Sequence, residues 1–100
     1  MTTKQTPAAP TDALDELFTI EYAGESYTVT REQADDFDLL SLLALGRSFD
    51  AIRHLIGDDD WVRFRASVAT ETGRVPVSRV KEFVKLFDEP LGNFTSSLLS

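Results

Sequence analysis

The first pattern along the chain is an alternation of apolar and polar residues in two short segments. Residues 17–22 and 27–30 are rich in β-branched and aromatic side chains, and the connection between them contains Gly24. Alternation with a period of two is typical of strands that bury one face, and a glycine in a short connection favours a tight turn. The sequence therefore predicts a β-hairpin. Its apolar face should carry Phe18, Ile20, Tyr22, Tyr27 and Val29.

After the hairpin, apolar residues recur every three or four positions, which is the spacing of helices with one buried face. Thr30 and Gln33 lie at the spacing of a capping box, which predicts a helix over residues 31–46. The three aspartates between residues 35 and 38 could instead act as local caps and delay its start. Phe37, Leu40, Leu43 and Ala44 recur at helical spacing, and Leu39, Leu42 and Leu45 make the second half apolar on most sides. That half is expected to be deeply buried or covered by a partner.

Three more helices are predicted by the same periodicity and by residues that favour helix ends. Ser48 can cap a helix over residues 49–56, Asp58 can cap a third that ends near Gly73, and the last should begin at Ser78 and stop before Pro90. Their apolar stripes are predicted to be Phe49, Ile52, Leu55 and Ile56; then Trp61, Phe64 and Val68; then Val80, Phe83, Val84 and Phe87.

These elements predict a small single α+β domain, an N-terminal β-hairpin followed by about four short α-helices. One hundred residues is a single-domain length, and neither a repeat nor a Pro- or Gly-rich linker divides the chain. Residues 1–13 are rich in Thr, Pro and Ala and are predicted to be a flexible arm. The domain should cover residues 14–90, and residues 91–100 should form a mobile tail.

Composition limits the classes of function. The chain has no cysteine, and no apolar stretch is long enough to span a bilayer, so we expect neither a thiolate metal site nor a membrane-embedded protein. The net charge of −7 argues against binding to nucleic acid, because neutralising phosphates requires clustered Lys and Arg. A soluble protein of a reducing cytoplasm fits these features.

The residues that usually carry chemistry are few. His54 is the only histidine, so a catalytic triad or a paired-histidine metal site would be incomplete, and its place off the apolar stripe predicts a partly exposed side chain without a special role. The aspartates at 58–60 lack the alternate spacing of a calcium loop and are interpreted as a helix start. We therefore predict a protein that is not an enzyme and has no catalytic residue, no metal ligand and no cofactor.

The apolar residues predict binding to another protein. Four short helices and a hairpin carry more apolar surface than one small core can bury, so part of it should be left for a partner. The predicted partner-binding residues form a partly exposed groove on the last two helices: Trp61, Val80, Phe83, Val84 and Phe87. The alternative is that they belong to the core, where aromatic residues at helical spacing are more often found.

Charge is distributed unevenly along the chain. Residues 11–60 contain thirteen acids and three arginines, whereas residues 61–85 contain six bases and two acids. This asymmetry predicts head-to-tail association of copies, with Asp35, Asp36 and Asp38 of one copy facing Arg79 and Lys81 of the next. The alternative is that the two segments neutralise each other within one fold.

An ordered set of short motifs carries a family resemblance. They lie at residues 18–22, 27–29, 37–40, 45–46, 55–61 and 91–93, with sequences FTIEY, YTV, FDLL, LG, LIGDDDW and LGN. In this order and in an acidic chain of this length, they resemble the tail assembly chaperones of long-tailed actinobacterial phages. The similarity covers about residues 17–94, and Phe94 departs from it where a small residue is expected.

The resemblance implies a protein of the infected host's cytoplasm that binds the long helical tape measure protein and keeps it soluble during tail tube assembly. It also implies absence from the mature virion. Such chaperones occur in a short form and a longer form made by ribosomal slippage, and this chain would be the short form. The implied partners are the tape measure protein, the tail tube protein, the protein's own longer form and further copies of itself.

Two other functions remain open from the sequence. An acidic inhibitor could mimic DNA, because thirteen acids in fifty residues could imitate spaced phosphates. The net basic segment after Trp61 and the apolar helices argue against it. A minor structural subunit of the tail is the third interpretation, and proteomic analysis of virions separates it from a chaperone.

Overall fold

The structure, a computed structural model, describes residues 15–99. A two-stranded β-hairpin is its first large element. Strand β1 (Glu16–Tyr22) pairs antiparallel with β2 (Glu25–Thr30). The two-residue turn places Ala23 and Gly24 at positive φ, 52° and 81°, a backbone shape that matches the twist of a tight hairpin. The register sets Phe18 opposite Val29 and Ile20 opposite Tyr27. The predicted hairpin and its apolar face are thus confirmed, whereas the predicted arm at 1–13 lies outside the described residues.

The next segment differs from the single predicted helix. A capping box between Thr30 and Gln33 starts α1 (Arg31–Ala34), as expected, but this helix ends after one turn. Helix α2 (Phe37–Ala44) begins anew, because the Asp36 carboxylate accepts a hydrogen bond of 2.9 Å from the Asp38 backbone N–H. The alternative in which the aspartates act as local caps is therefore correct, and the continuous helix over residues 31–46 is wrong.

Helices α3 (Ser48–Ile56) and α4 (Asp58–Val68) follow one another with only Gly57 between them. Gly57 has φ of 90°, which favours glycine, and it caps the end of α3 and the start of α4. The prediction that Asp58 caps α4 is wrong: it is the first helical residue, where its charge suits the helix dipole. Helix α4 also ends at Val68, earlier than predicted.

The C-terminal part forms two helices, α5 (Val77–Lys85) and α6 (Asp88–Leu99). Pro90 lies in the first turn of α6, where the backbone N–H that proline lacks has no partner within the helix. Leu91 is buried against the core. The expected tail at 91–100 is therefore corrected, because a helix continues to Leu99 and joins the domain.

The core forms where the hairpin, α3, α4 and α5 meet, and aromatic rings dominate it. The Phe64 and Phe83 rings stack with centroids 4.0 Å apart, while Tyr27 and Phe87 contact Phe83 edge-on at 5.0 and 5.1 Å. Leu39, Ile52 and Leu55 extend this core toward α2 and α3. The predicted α+β class, a hairpin followed by short helices, is confirmed, with six helices within the described residues.

One predicted core residue is corrected: Phe49, expected to face inward, is 45 % exposed. Phe37 is 78 % exposed and Ala44 is also at the surface, although both recur at helical spacing with Leu40 and Leu43. The restart of α2 at Asp36 turns Phe37 away from the core and leaves Leu39 as the buried residue of that helix. Within residues 15–99, no helix is long and apolar enough to cross a membrane.

Candidate functional site

Three of the five predicted partner-binding residues are not on the surface. Phe83 and Phe87 are fully buried and Val84 is 6 % exposed. The hairpin covers this side of α5: Phe18 contacts Phe87 at 6.0 Å and Tyr22 contacts Phe83 at 5.7 Å between ring centroids. The prediction of a partly exposed groove at these three positions is therefore wrong, and their interpretation as core residues is correct.

The other two, Trp61 and Val80, line an apolar groove that we call the α3–α5 groove. Phe49 comes from the first turn of α3, Trp61 and Arg65 from α4, Val75 from the loop that follows, and Val77 and Val80 from α5. The groove has a volume of about 270 Å³. Val77 is 65 % exposed, so its side chain contributes little to the fold and is available to a partner.

The floor of the groove is joined to the core through Trp61. Its ring centroid lies 5.4 Å from that of Phe64 and 6.5 Å from that of Phe83. A partly buried tryptophan held by packed rings is the kind of rigid apolar anchor that dominates protein interfaces. The groove is thus a preformed surface, and little side-chain ordering would be needed on binding.

The apolar surface continues beyond the groove along α4. Arg65 and Val75 also line a second hollow with Val62, Ala66, Ala69 and Gly73. Val62 is 64 % exposed. The two hollows share Arg65 and Val75, so together they form one elongated apolar surface, and Arg65 is the base that lines both hollows.

Charges around α5 are divided between its two sides. Arg79 lies over the Tyr22 ring at 5.3 Å, and Tyr22 Oη donates a hydrogen bond of 2.6 Å to Glu82, so this side faces the hairpin. Lys81 is one helical turn after Val77 and therefore lies on the groove side. The predicted self-association pair of Arg79 and Lys81 is accordingly split between two surfaces.

Arg63 is the base through which the acidic and basic segments meet within the fold. Its guanidinium binds the carboxylates of Glu25 and Asp60, donates to the Ser26 carbonyl at 2.8 Å, and covers the Tyr27 ring at 4.4 Å. The hydrogen bond to Glu25 is the main cause that raises the pKa of Arg63. The other five bases of residues 61–85 form no ion pair within residues 15–99, so internal neutralisation accounts for only one of the six.

The three predicted acidic residues lie within two positions of the exposed Phe37 along the chain. Asp35 and Asp38 are exposed, while Asp36 is half-buried and lies 2.7 Å from His54 Nε2. The hydrogen bond from His54, followed by that from the Asp38 backbone, lowers the pKa of the Asp36 carboxyl. His54 is partly exposed as predicted, but it does have a role: it ties α3 to the start of α2.

Asp36, Asp38 and His54 also form the one group of three among the described residues whose oxygen and nitrogen atoms could share a metal ion. These atoms lie within 4.8 Å of one another. Sequence reasoning assigned no ligand here, because His54 is far from the aspartates along the chain. The same contacts are explained by the cap of α2 and by the hydrogen bond between His54 and Asp36, so the cluster acts as a structural connection.

A further hollow lies between α2 and α6. It is lined mainly by Phe37, Leu39, Leu40, Leu98 and Leu99, with Asp35 and Asp36 at its edge, and has a volume of about 180 Å³. Leu98 and Leu99 are 51 % and 71 % exposed. Sequence reasoning missed this surface, since it assigned the C-terminal residues to a tail.

Comparison with known proteins found no matching family model, no significant match among curated proteins and no significant match among solved structures.

Proposed function

We propose that this protein is a phage tail assembly chaperone that binds the tape measure protein and keeps it soluble while the tail tube assembles. The observation that carries the proposal is the α3–α5 groove, an open apolar surface built around Trp61 on a small acidic domain. The motif resemblance described above supplies the identity of the client. In this proposal the chaperone acts in the host cytoplasm and leaves before the virion is complete.

The chemistry of the groove suits a helical client. A helix with apolar residues on one side can place that stripe in a groove between helices, which is a common mode of peptide recognition. Trp61, Val77 and Val80 provide the apolar contacts, and the chain carries a net charge of −7. A net negative charge keeps a complex of many chaperone copies on one long client from aggregating.

Co-expression with the tape measure protein of the same phage tests the proposal. The tape measure protein should move from the insoluble to the soluble fraction when the chain is present, and tagged chain should capture it. Double substitution of Trp61→Ala and Val77→Ser should weaken capture at least about tenfold, because anchor residues at an interface carry most of its affinity. Equal solubility with and without the chain would contradict the proposal.

Leu86→Ser is the matched control. Leu86 is 43 % exposed at the end of α5, and helical periodicity places it away from Val77 and Val80. Capture by this variant should equal that by the unchanged chain. Detection of the protein as a constant component of purified virions would instead support a structural tail subunit.

A further inference from the structure

Phe37 forms an exposed acidic knob at the start of α2. Of the large apolar side chains in the described residues it is the most exposed, at 78 %. Asp35 and Asp38 lie two residues before it and one residue after it along the chain; both are exposed, and neither carboxylate forms an ion pair within residues 15–99. Exposing an aromatic ring to water is unfavourable, so an exposed ring close in sequence to two unpaired carboxylates has the chemistry of half an interface.

The α3–α5 groove has the complementary chemistry. Arg65 lines it and Lys81 lies one turn after Val77, and neither base has an acidic partner among the described residues. The volume of about 270 Å³ exceeds the roughly 150 Å³ of an apolar cavity that holds benzene, so a phenyl ring fits. The Trp61 and Phe49 rings offer aromatic surfaces against which it would pack.

We propose that the groove of one copy receives the Phe37 knob of a second copy, with Asp35 and Asp38 facing Arg65 and Lys81. Contact between two knobs is disfavoured, because it would bring like charges together. Knob and groove are formed by different residues, so a joined pair of copies keeps one free knob and one free groove. The contact is heterologous, so it joins further copies into open chains, or into rings where the rotation between copies closes.

This contact needs no client, so it stands or falls independently of the function proposed above. If the client binds the same groove, a second copy covers the apolar surface until the client displaces it. The structure also changes which charges are expected to matter: Asp36 is engaged with His54 and the α2 cap, and Arg79 lies against the hairpin.

Sedimentation of the full chain, without client, tests the proposal by exchange of charge. The unchanged protein at low salt should form a series of oligomers beyond the dimer, and 1 M salt should weaken them, because the Debye length falls to about 3 Å. Reversing the groove (Arg65→Glu with Lys81→Glu) or the knob (Asp35→Lys with Asp38→Lys) should each weaken association at least about tenfold. An equimolar mixture of the two variants should associate again, because every contact between them pairs opposite charges.

Two controls make the result specific. Arg31→Glu with Arg79→Glu lowers the net charge by the same four units as the groove variant, but at exposed positions that do not line the groove, and it should associate like the unchanged chain. Phe37→Ala should abolish association while leaving the circular dichroism melt unchanged, since the ring is exposed. A monomeric wild type at high concentration and low salt, or a mixture that stays monomeric, overturns the proposal.

Discussion

Helix α5 and the turn that follows it present apolar residues of similar chemistry to two different surroundings. On one side, Phe83 and Phe87 are fully buried beneath the hairpin; on the other, Val77 and Val80 line an open groove. Periodicity places all four near a single stripe, so periodicity does not separate them. They differ in whether another element covers them. The two hairpin strands, of seven and six residues, cover Phe83 and Phe87 but do not reach Val77 and Val80.

The comparison teaches that an apolar stripe wider than its covering element becomes partly core and partly binding surface. A small domain has few elements with which to cover its helices, so this outcome is expected for such proteins. Trp61 lies at the boundary, because its ring packs on Phe64 while it also lines the groove. Mutations on the two sides of this boundary should therefore have opposite consequences for stability and for binding.

The largest effect is expected from substituting matched residues on the two sides of α5. Phe83→Ala removes a ring that stacks on Phe64 at 4.0 Å and should lower the free energy of unfolding by about 3–5 kcal/mol. Val77→Ala should change it by no more than about 0.5 kcal/mol, because the side chain is mostly exposed. Urea unfolding of both variants measures the difference, and similar losses would show that the groove belongs to the core.

A smaller effect is expected from the arginine that joins the hairpin to α4. Arg63→Met removes the hydrogen bonds to Glu25, Asp60 and the Ser26 carbonyl, and after allowance for its partial exposure the loss of stability should be about 1–2 kcal/mol. Arg65→Met is the control, since Arg65 has no such partners in the described part of the chain. Equal melting temperatures for the two variants would contradict the anchoring role of Arg63.

The smallest expected effect is the pH dependence of stability that arises from Asp36, the N-cap of α2. The pKa of Asp36 is lowered in the folded protein, so its contribution is complete above the ordinary aspartate pKa of about 3.9 and is lost as the pH falls through the lowered value. Asp36→Asn should therefore flatten the fall in melting temperature below about pH 4. Asp35→Asn removes an unpaired carboxylate and should leave the fall in melting temperature unchanged. If Asp36→Asn and the unchanged protein lose melting temperature equally below about pH 4, Asp36 is not the source of this pH dependence.

Local signals in the sequence predicted the elements well where they act over a few residues. The hairpin and its facing residues follow from strict alternation around Gly24, and the α1 cap follows from the spacing of Thr30 and Gln33. Short-range signals did not predict α6. Pro90 was interpreted as the end of a helix, but proline is equally suited to the first turn of a new one. Its continuation to Leu99 depends on Leu91 packing into the core.

The candidate site was predictable only in part. Of the five predicted partner-binding residues, Trp61 and Val80 line an open groove, whereas Phe83, Val84 and Phe87 are buried in the core. His54 and Asp36 are 18 residues apart in the sequence, and no local sequence pattern indicates that they are in contact.

By itself, the sequence determined the class of fold, the apolar face of the hairpin and the cap of α1, because these depend on alternation, helical spacing and short-range capping. Only the tertiary structure decided which apolar residues are covered. Burial is a property of the neighbour that arrives from elsewhere in the chain: Tyr22 and Tyr27 reach Phe83, and nothing within residues 15–99 reaches Phe37 or Val77 to the same extent. The candidate binding surfaces are therefore the apolar residues that the fold had no element left to cover.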